Sequence, residues 1–282
     1  MAELFSLMRA RNLWKTECVD YPQANHWVTR TASRRFCIPN NLCSLRIAPA
    51  PRGVSPRNSA NLATSPMPLT NAQIDRYSRQ IIVPRVGGRA QQRVLAARIV
   101  IAAAYSDLEP ALAYLVGAGV GRIELALADR CADFDKLAAA MRSLNPDSAV
   151  ARFAPDDSSH GAPDLVFAIV SGSGSQSSTH ALCTSFVRIP SVIARLDSPP
   201  RIGVFPVPPP CAICAADLLA QPFGELSTGC GFVTMAATAE VFKLLAAYDA
   251  APRAAMIEFD GYNSRTHEPV RDPNCACASA PA

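Results

Sequence analysis

The 282-residue chain has no long uninterrupted hydrophobic run, and charged residues make up only 18% of it. Its longest stretch free of Asp, Glu, Lys and Arg, residues 165–187, contains a serine- and glycine-rich tract at Ser171–Ser178 that a membrane-spanning helix would not carry. A hydrophobic content of 49% is still enough for a sizeable core. These features exclude a disordered, fibrous or membrane-spanning chain and predict one large soluble α/β domain or two small ones.

Acidic residues are scarce in the N-terminal quarter. Residues 1–66 carry 9 Lys and Arg against 3 Asp and Glu, whereas residues 67–282 carry 18 against 20. We therefore expect no nucleic-acid binding by the folded part. Residues 1–66 also lack periodicity and are rich in Arg, Asn, Ser and Pro, which predicts an extension outside a domain at 67–282. Two interpretations explain this change in composition at Met67: residues 1–66 are a solvated tail, or the start codon has been placed upstream of the real one at Met67.

Histidine is also scarce, and the four histidines show no metal-ligand spacing, whereas the ten cysteines include close pairs. Cys211 and Cys214 form a C-x-x-C, and Cys275 and Cys277 lie near the end of the chain. Without an apolar N-terminal signal segment, and at a size far above disulfide scaffolds, the chain is expected in a reducing cytoplasm. Paired thiols in that compartment indicate a metal site.

Strand and helix patterns alternate from Thr70 onwards. A capping box at Thr70 and Gln73 predicts a short helix through Arg79. Further helices are predicted at 107–118, 134–144 and 232–248, and strands at 98–104, 122–128, 148–154 and 164–170. Ser106 and Glu109 are expected to cap the helix at 107–118, and the Ser171–Ser178 tract is expected to be a flexible loop. Such alternation predicts a doubly wound, mostly parallel Rossmann-like sheet.

Several segments together resemble the ThiF/MoeB/HesA family, the prokaryotic relatives of ubiquitin-activating enzymes. They are R-Y-S-R-Q-I-I-V-P at 76–84, Y-L-V-G-A-G-V-G-R at 114–122, N-P at 145–146, C-A-I-C at 211–214, F-K-L-L at 242–245 and R-D-P-N-C at 271–275. The resemblance implies an α/β fold with a C-terminal zinc-knuckle-type tail. It also implies a dimer that uses ATP with magnesium to adenylylate the carboxylate of a small ubiquitin-like or sulfur-carrier protein.

The family's phosphate-binding residues are largely absent. Its G-x-G-G-x-G corresponds to A-A-Y-S-D-L at 103–108, and no glycine occurs between Gly88 and Gly117. Glycines let backbone amides approach a phosphate, and Asp107 and Glu109 are expected to place two carboxylates in the first turn of the following helix. Ser171 stands where the family has an aspartate. We therefore expect a pseudoenzyme, which is a scaffold or the inactive half of a pair with an active homologue.

The resemblance assigns three residues to what remains of the nucleotide site. Arg79, the candidate catalytic residue, stands where the family's arginine crosses a dimer interface to the partner's triphosphate; a locally paired surface arginine is the alternative. Asp129 corresponds to the first aspartate of a D-x-D that holds ribose and magnesium, and Lys136 to a phosphate-contacting lysine. The alternative function is an active adenylyltransferase with a remodelled pocket for a carrier protein or peptide. A third possible function is a module that binds a leader peptide or carrier. The sequence does not distinguish this module from the noncatalytic scaffold or partner described above.

The resemblance also implies a structural zinc site. The expected ligands are Cys211, Cys214, Cys275 and Cys277. The second knuckle is C-A-C, with Ala278 where the family has its fourth cysteine, so Cys277 is expected as a displaced ligand. Free thiols are the alternative. Cys230, just before the last predicted helix, is expected to be a small buried residue rather than a nucleophile.

Overall fold

The computed structural model describes residues 68–128, 133–155, 161–206, 210–215, 224–227, 229–260 and 263–279. The predictions for the extension at 1–66 and for Asp129 fall outside these residues. Helices α1–α6 span Asn71–Ile81, Gly87–Ala96, Tyr105–Ala118, Phe134–Leu144, Ser173–Ser185 and Cys230–Ala246. Strands β1–β8 span Arg98–Ala103, Arg122–Leu127, Ala149–Arg152, Leu165–Val170, Ser191–Arg195, Arg201–Phe205, Ala255–Asp260 and Asn263–His267. A short 3-10 helix covers Ala276–Ser279.

The strands form one sheet in the order β3-β2-β1-β4-β5-β6-β7-β8. The first five strands in this order are parallel, and β6, β7 and β8 continue the sheet antiparallel. The prediction of a doubly wound, mostly parallel α/β sheet is confirmed. The carboxyl ends of the parallel strands therefore share one edge, where α/β proteins bind their ligands.

Alternating residues of the central strands pack in two apolar clusters on opposite faces of the sheet. In β1, Ile99 and Ile101 belong to one cluster, which also contains buried residues of α2, α3, α4 and α6. Val100 and Ala102 belong to the other, which contains buried residues of α5 and of segment 211–215. Helices thus cover both faces, as predicted.

A buried polar cluster fixes α1 to the end of α4. The Asn145 side chain, only 1% exposed, donates from Nδ2 to the Tyr77 hydroxyl (2.8 Å) and to the Val116 carbonyl (2.7 Å). Its Oδ1 accepts from Arg76 (3.2 Å), while the Tyr77 hydroxyl donates to Asp147 (3.0 Å). Burial raises the pKa of Tyr77 to about 12. The R-Y and N-P segments of the family resemblance therefore meet in one structural contact.

The glycines of the G-V-G segment are required by close approaches of neighbouring atoms. Gly119 ends α3 with a φ of 88°, and a Cβ added there would lie 2.6 Å from the Tyr77 ring. A Cβ added at Gly121 would collide with the backbone carbonyl of Leu95. Any larger residue at these two positions would displace α1 or α2.

The expected caps of α3 are wrong. The helix begins at Tyr105 with Ala104 as its N-cap, and no side chain caps it. Because it starts two residues earlier than predicted, Asp107 lies in the first turn but Glu109 does not. Tyr105 packs against the core, which explains why the chain enters the helix immediately after Ala104.

The predicted loop at Ser171–Ser178 is also wrong, because α5 occupies Ser173–Ser185. The spacing of Ser175, Thr179 and Leu182 places one buried face against the sheet. Serine hydroxyls of this helix donate to carbonyls four residues earlier, so they need no water or partner. The tract looks like a loop by composition, but its polar groups are satisfied within a helix.

Candidate functional site

The predicted nucleotide site lies at the carboxyl edge of the sheet, between β1 and α3. β1 ends at Ala103 and α3 begins at Tyr105, so Ala104 alone connects them. A phosphate-binding turn needs several backbone amides free to face the anion, which glycines normally permit. Here the Asp107 amide donates to the Ala104 carbonyl (3.2 Å), and the Asp107 carboxylate lies in the first turn.

Two cavities lie away from this junction. One of about 560 Å³ is at the amino edge of the sheet, and its lining includes Arg93, Asp164 and Lys243. The other, about 550 Å³, lies beside α5, and its lining includes Phe153 and Phe186. Neither cavity is lined by residues of the β1–α3 junction.

The candidate catalytic and cofactor-binding residues are not brought together by any contact within the described ranges. Arg79 is exposed in the last turn of α1 and makes no ion pair with the described residues. Lys136, on α4, pairs with Asp133 at 2.8 Å and is 76% exposed. With Asp129 outside the described residues, the roles assigned to all three remain predictions.

The four cysteines predicted as metal ligands form one cluster. Their sulfur atoms all lie within 4.8 Å of one another. The Cys211 sulfur lies 3.8 Å from that of Cys214 and 3.5 Å from that of Cys275, and the sulfurs of Cys214 and Cys277 are 3.3 Å apart. The cluster joins segment 211–214 to the C-terminal segment, which lie more than 60 residues apart in the sequence.

This cluster fits a zinc knuckle. Four thiolate sulfurs about 2.3 Å from a central zinc ion stand about 3.8 Å apart in a tetrahedron, close to the observed separations. Cys277 occupies the fourth position despite the C-A-C spacing, because the 3-10 turn at Ala276–Ser279 carries it towards Cys214. Burial raises the pKa of the Cys211 thiol, so a bound cation is what would make the thiolate stable there.

Cys230, the first residue of α6, is half-buried. Its sulfur lies 2.6 Å from the carbonyl oxygen of Ser227, to which the thiol donates. Burial, with a further contribution from the Asp107 charge, raises the pKa of this thiol. A thiol with a raised pKa is a poor nucleophile, but Cys230 is half-buried and not buried as predicted.

The sequence analysis missed a buried ion pair at the end of β5. Arg195, which is fully buried, donates to both carboxylate oxygens of Asp197 at 2.7 Å. Burial alone would raise the pKa of Asp197, but hydrogen bonds from Arg195 and from the Gly224 amide outweigh burial and lower it. The available signal was an R-L-D sequence at the end of an apolar strand, where buried charges require partners.

No family model matches the sequence. Among curated proteins, a sulfur carrier protein adenylyltransferase of Thermus thermophilus is 44% identical over 64 residues, which cover 23% of this chain and 24% of that protein. The SAMP-activating enzyme E1 of Haloferax volcanii is 35% identical over 100 residues, covering 29% and 37%. The chain therefore spans 24% and 37% of the lengths of these two relatives.

Solved structures are similar over a longer range. The structure of E. coli MccB with MccA-N7isoASN has a TM-score of 0.55 at 14% identity, covering 74% of this chain and 76% of that one. E. coli MccB with ATP has a TM-score of 0.54, also at 14% identity, covering 73% and 75%. At this identity the likeness establishes the fold alone.

The sheet, the cysteine cluster and these similarities define an α/β protein with the fold of E. coli MccB. Within that class, the sequence matches to the Thermus and Haloferax proteins support a ThiF/MoeB family member. No helix in the described part of the chain is long and apolar enough to cross a membrane.

Proposed function

We propose that this chain is a noncatalytic ThiF/MoeB-type protein that acts as the partner or scaffold of an active homologue. The observation that carries the proposal is the single-residue junction at Ala104 between β1 and α3. In an active member of such a fold, this junction would supply backbone amides to the triphosphate. A helix that starts directly after the strand offers no such turn.

The charge at the junction supports the same proposal. Asp107 already places a carboxylate in the first turn of α3, where it gains about 0.3–1 kcal/mol from the helix dipole. An incoming triphosphate would meet like charge instead of unpaired amides. Because phosphoryl-group chemistry depends on positioned charge, we propose that the isolated chain does not catalyse adenylylation.

Pyrophosphate exchange tests this proposal. The isolated chain, incubated with magnesium ATP, labelled pyrophosphate and a sulfur-carrier protein, should give no exchange above a protein-free control. A homologue with an intact glycine-rich loop serves as the positive control. Exchange by the isolated chain that persists after repurification would contradict the proposal and support the alternative below.

We also propose that α1 forms part of the interface with the partner, which is a second copy or an active homologue. Ile74, on α1, and Ile82, its C-cap residue, are 46% and 78% exposed. Arg79 lies in the last turn of α1 and has no ion-pair partner in the described part of the chain. Exposed apolar side chains near an arginine that is free of ion pairs with the described residues suit a docking face from which Arg79 reaches the partner's ATP.

Arg79→Ala tests this role in the purified complex. If Arg79 contacts the partner's triphosphate, the substitution should reduce the partner's pyrophosphate exchange at saturating ATP by tenfold or more, since arginine fingers supply about a thousandfold or more in phosphoryl transfer. Arg89→Ala, at an exposed position of α2, is the matched control and should leave the rate unchanged. An unchanged rate with Arg79→Ala, while the complex still forms, would make Arg79 an ordinary surface residue.

We further propose that Cys211, Cys214, Cys275 and Cys277 hold zinc, and that the ion is structural. Four buried or half-buried thiolates leave no open coordination position for chemistry. Bound zinc would tie the C-terminal segment to segment 211–215, where Ala212 and Ala215 pack against one face of the sheet. Its contribution would therefore be to the position of this tail.

The alternative function is an active adenylyltransferase that acts on a carrier protein or peptide carboxylate. The observation in its favour is the 44% identity, over 64 residues, to a protein named as a sulfur carrier protein adenylyltransferase. In that case ATP would use a pocket other than the β1–α3 junction. The exchange assay on the isolated chain separates the two functions.

A further inference from the structure

Two buried carboxylates lie between arginines near opposite edges of the sheet. Glu124, at the amino edge, accepts from Arg98 (2.7 and 3.1 Å) and from Arg122 (2.7 Å), all on neighbouring positions of β1 and β2. Asp197, at the carboxyl edge, accepts from Arg195 through both oxygens. The hydrogen bonds of Glu124 join the adjacent strands β1 and β2. Asp197, in contrast, also accepts a hydrogen bond from a segment that is distant in the sequence.

That segment, residues 224–227, is here named the strap. The Gly224 amide donates to Asp197 Oδ2 at 3.1 Å. The strap runs antiparallel to residues 196–198, with which it forms two backbone hydrogen bonds of 2.9 Å. Among the described residues, three hydrogen bonds therefore fasten the strap to the chain that leaves β5, and one of them is charge-assisted.

The strap lies where a ligand would approach the sheet. Ala212 and Ala215 pack on the face covered by α5, whereas α6, which follows the strap, packs on the opposite face. Between them the strap pairs with the residues just beyond the carboxyl end of β5. Ligands of parallel α/β sheets bind outside these carboxyl ends, so the strap covers part of the ligand-binding edge.

We propose that Arg195, Asp197 and Gly224 form a latch that holds the strap closed over the carboxyl edge of the sheet. Arg195 fixes both oxygens of Asp197, so the carboxylate is oriented before the strap arrives. Loss of the Gly224 hydrogen bond leaves the two backbone hydrogen bonds to hold the strap, so the strap opens more often and uncovers the edge. The latch operates whether or not the chain binds ATP, so its test is independent of the proposed function.

Cys230 provides a reporter of the strap. Its thiol donates to the carbonyl of Ser227, the last residue of the strap, and is half-buried when the strap is closed. Opening the strap removes this acceptor, leaves the Leu196 carbonyl at 3.7 Å, and makes the sulfur more accessible. The rate at which iodoacetamide alkylates Cys230, followed by peptide mass spectrometry on the full chain, therefore measures opening.

Gly224→Pro removes the latch hydrogen bond without touching the buried ion pair, because proline has no amide hydrogen. We expect Cys230 alkylation to accelerate about tenfold or more, the factor that corresponds to loss of one charge-assisted hydrogen bond. Gly224→Ala is the matched control, since it keeps the amide and its Cβ would lie 3.6 Å from Asp197, an ordinary contact. Equal Cys230 rates in the two variants would overturn the proposal.

A second comparison separates a latch from general stabilisation. Cys183 is 4% exposed on α5, so its alkylation reports opening of the core. Gly224→Pro should accelerate alkylation of Cys230 but not of Cys183, because it leaves the buried Arg195–Asp197 pair in place. Parallel acceleration of both cysteines in Gly224→Pro would show that the substitution destabilises the whole domain, and the latch would be wrong.

Discussion

Removing the Asn145 side chain should destabilise the domain strongly, because this one amide joins α1, α3 and α4. In Asn145→Ala the hydrogen bonds to the Tyr77 hydroxyl, the Val116 carbonyl and Arg76 are all lost. At about 1 kcal/mol for each, with buried partners left unpaired, we expect a loss of about 3 kcal/mol in the free energy of unfolding. For a domain of this size that lowers Tm by about 6–12 °C.

Urea unfolding, monitored by circular dichroism, measures this loss directly. Asn71→Ala removes the same side chain from an exposed position at the start of α1, and its effect should stay within about 0.5 kcal/mol. A loss below about 1 kcal/mol in Asn145→Ala would refute the reasoning, since the amide would then contribute no more than a single solvated hydrogen bond.

Two further predictions concern the metal and the acid stability. Cys277→Ser should lower bound zinc measured by mass spectrometry and lower Tm, while Cys230→Ser keeps the zinc; full zinc in Cys277→Ser would exclude Cys277 as a ligand. Burial would raise the pKa of Glu124, but hydrogen bonds from Arg98 and Arg122 outweigh it and lower the pKa below 4.5. Its stabilisation is thus fully present above the ordinary glutamate pKa of 4.5 and is lost as the pH falls through the lowered pKa, so Glu124→Gln should show a shallower acid loss in pH-dependent unfolding than wild type.

Much of the parallel half of the fold could be predicted because its signals are local. The capping box at Thr70 and Gln73 is present, and the helix predicted at 134–144 has the observed bounds. Buried parallel strands are continuous apolar runs, which identifies β1 and β4 without tertiary information. The start of α3 was missed because the Tyr105 side chain packs on the core, and that contact is not local.

The antiparallel half was missed for a physical reason. β8 is exposed at every position and polar in sequence, so no alternation marks it as a strand. β6 and β7 are defined by their pairing with β5 and with each other, which composition does not encode. The high serine content likewise favoured a loop over the helix α5 in the sequence analysis. The buried face of α5 is defined by its packing on the sheet, which the local sequence does not show.

Of the candidate site, the cysteine cluster followed from spacing, whereas the charged contacts at the carboxyl edge did not. Paired cysteines can be read along the sequence, and the structure brings all four within 4.8 Å of one another. The role proposed for the Arg195–Asp197 pair depends on the hydrogen bond between Asp197 and Gly224, which are 27 positions apart in the sequence. Contacts of that range are set by the fold and not by a local pattern.

Titration of the isolated full chain with magnesium ATP in a calorimeter tests the central claim most directly. Because Ala104 alone separates β1 from α3 and Asp107 lies in the first helical turn, we expect no saturable heat of binding in the micromolar range. The active homologue, titrated in the same buffer, should bind under these conditions. Micromolar, magnesium-dependent binding by this chain alone would contradict a noncatalytic role and return the protein to the active adenylyltransferases.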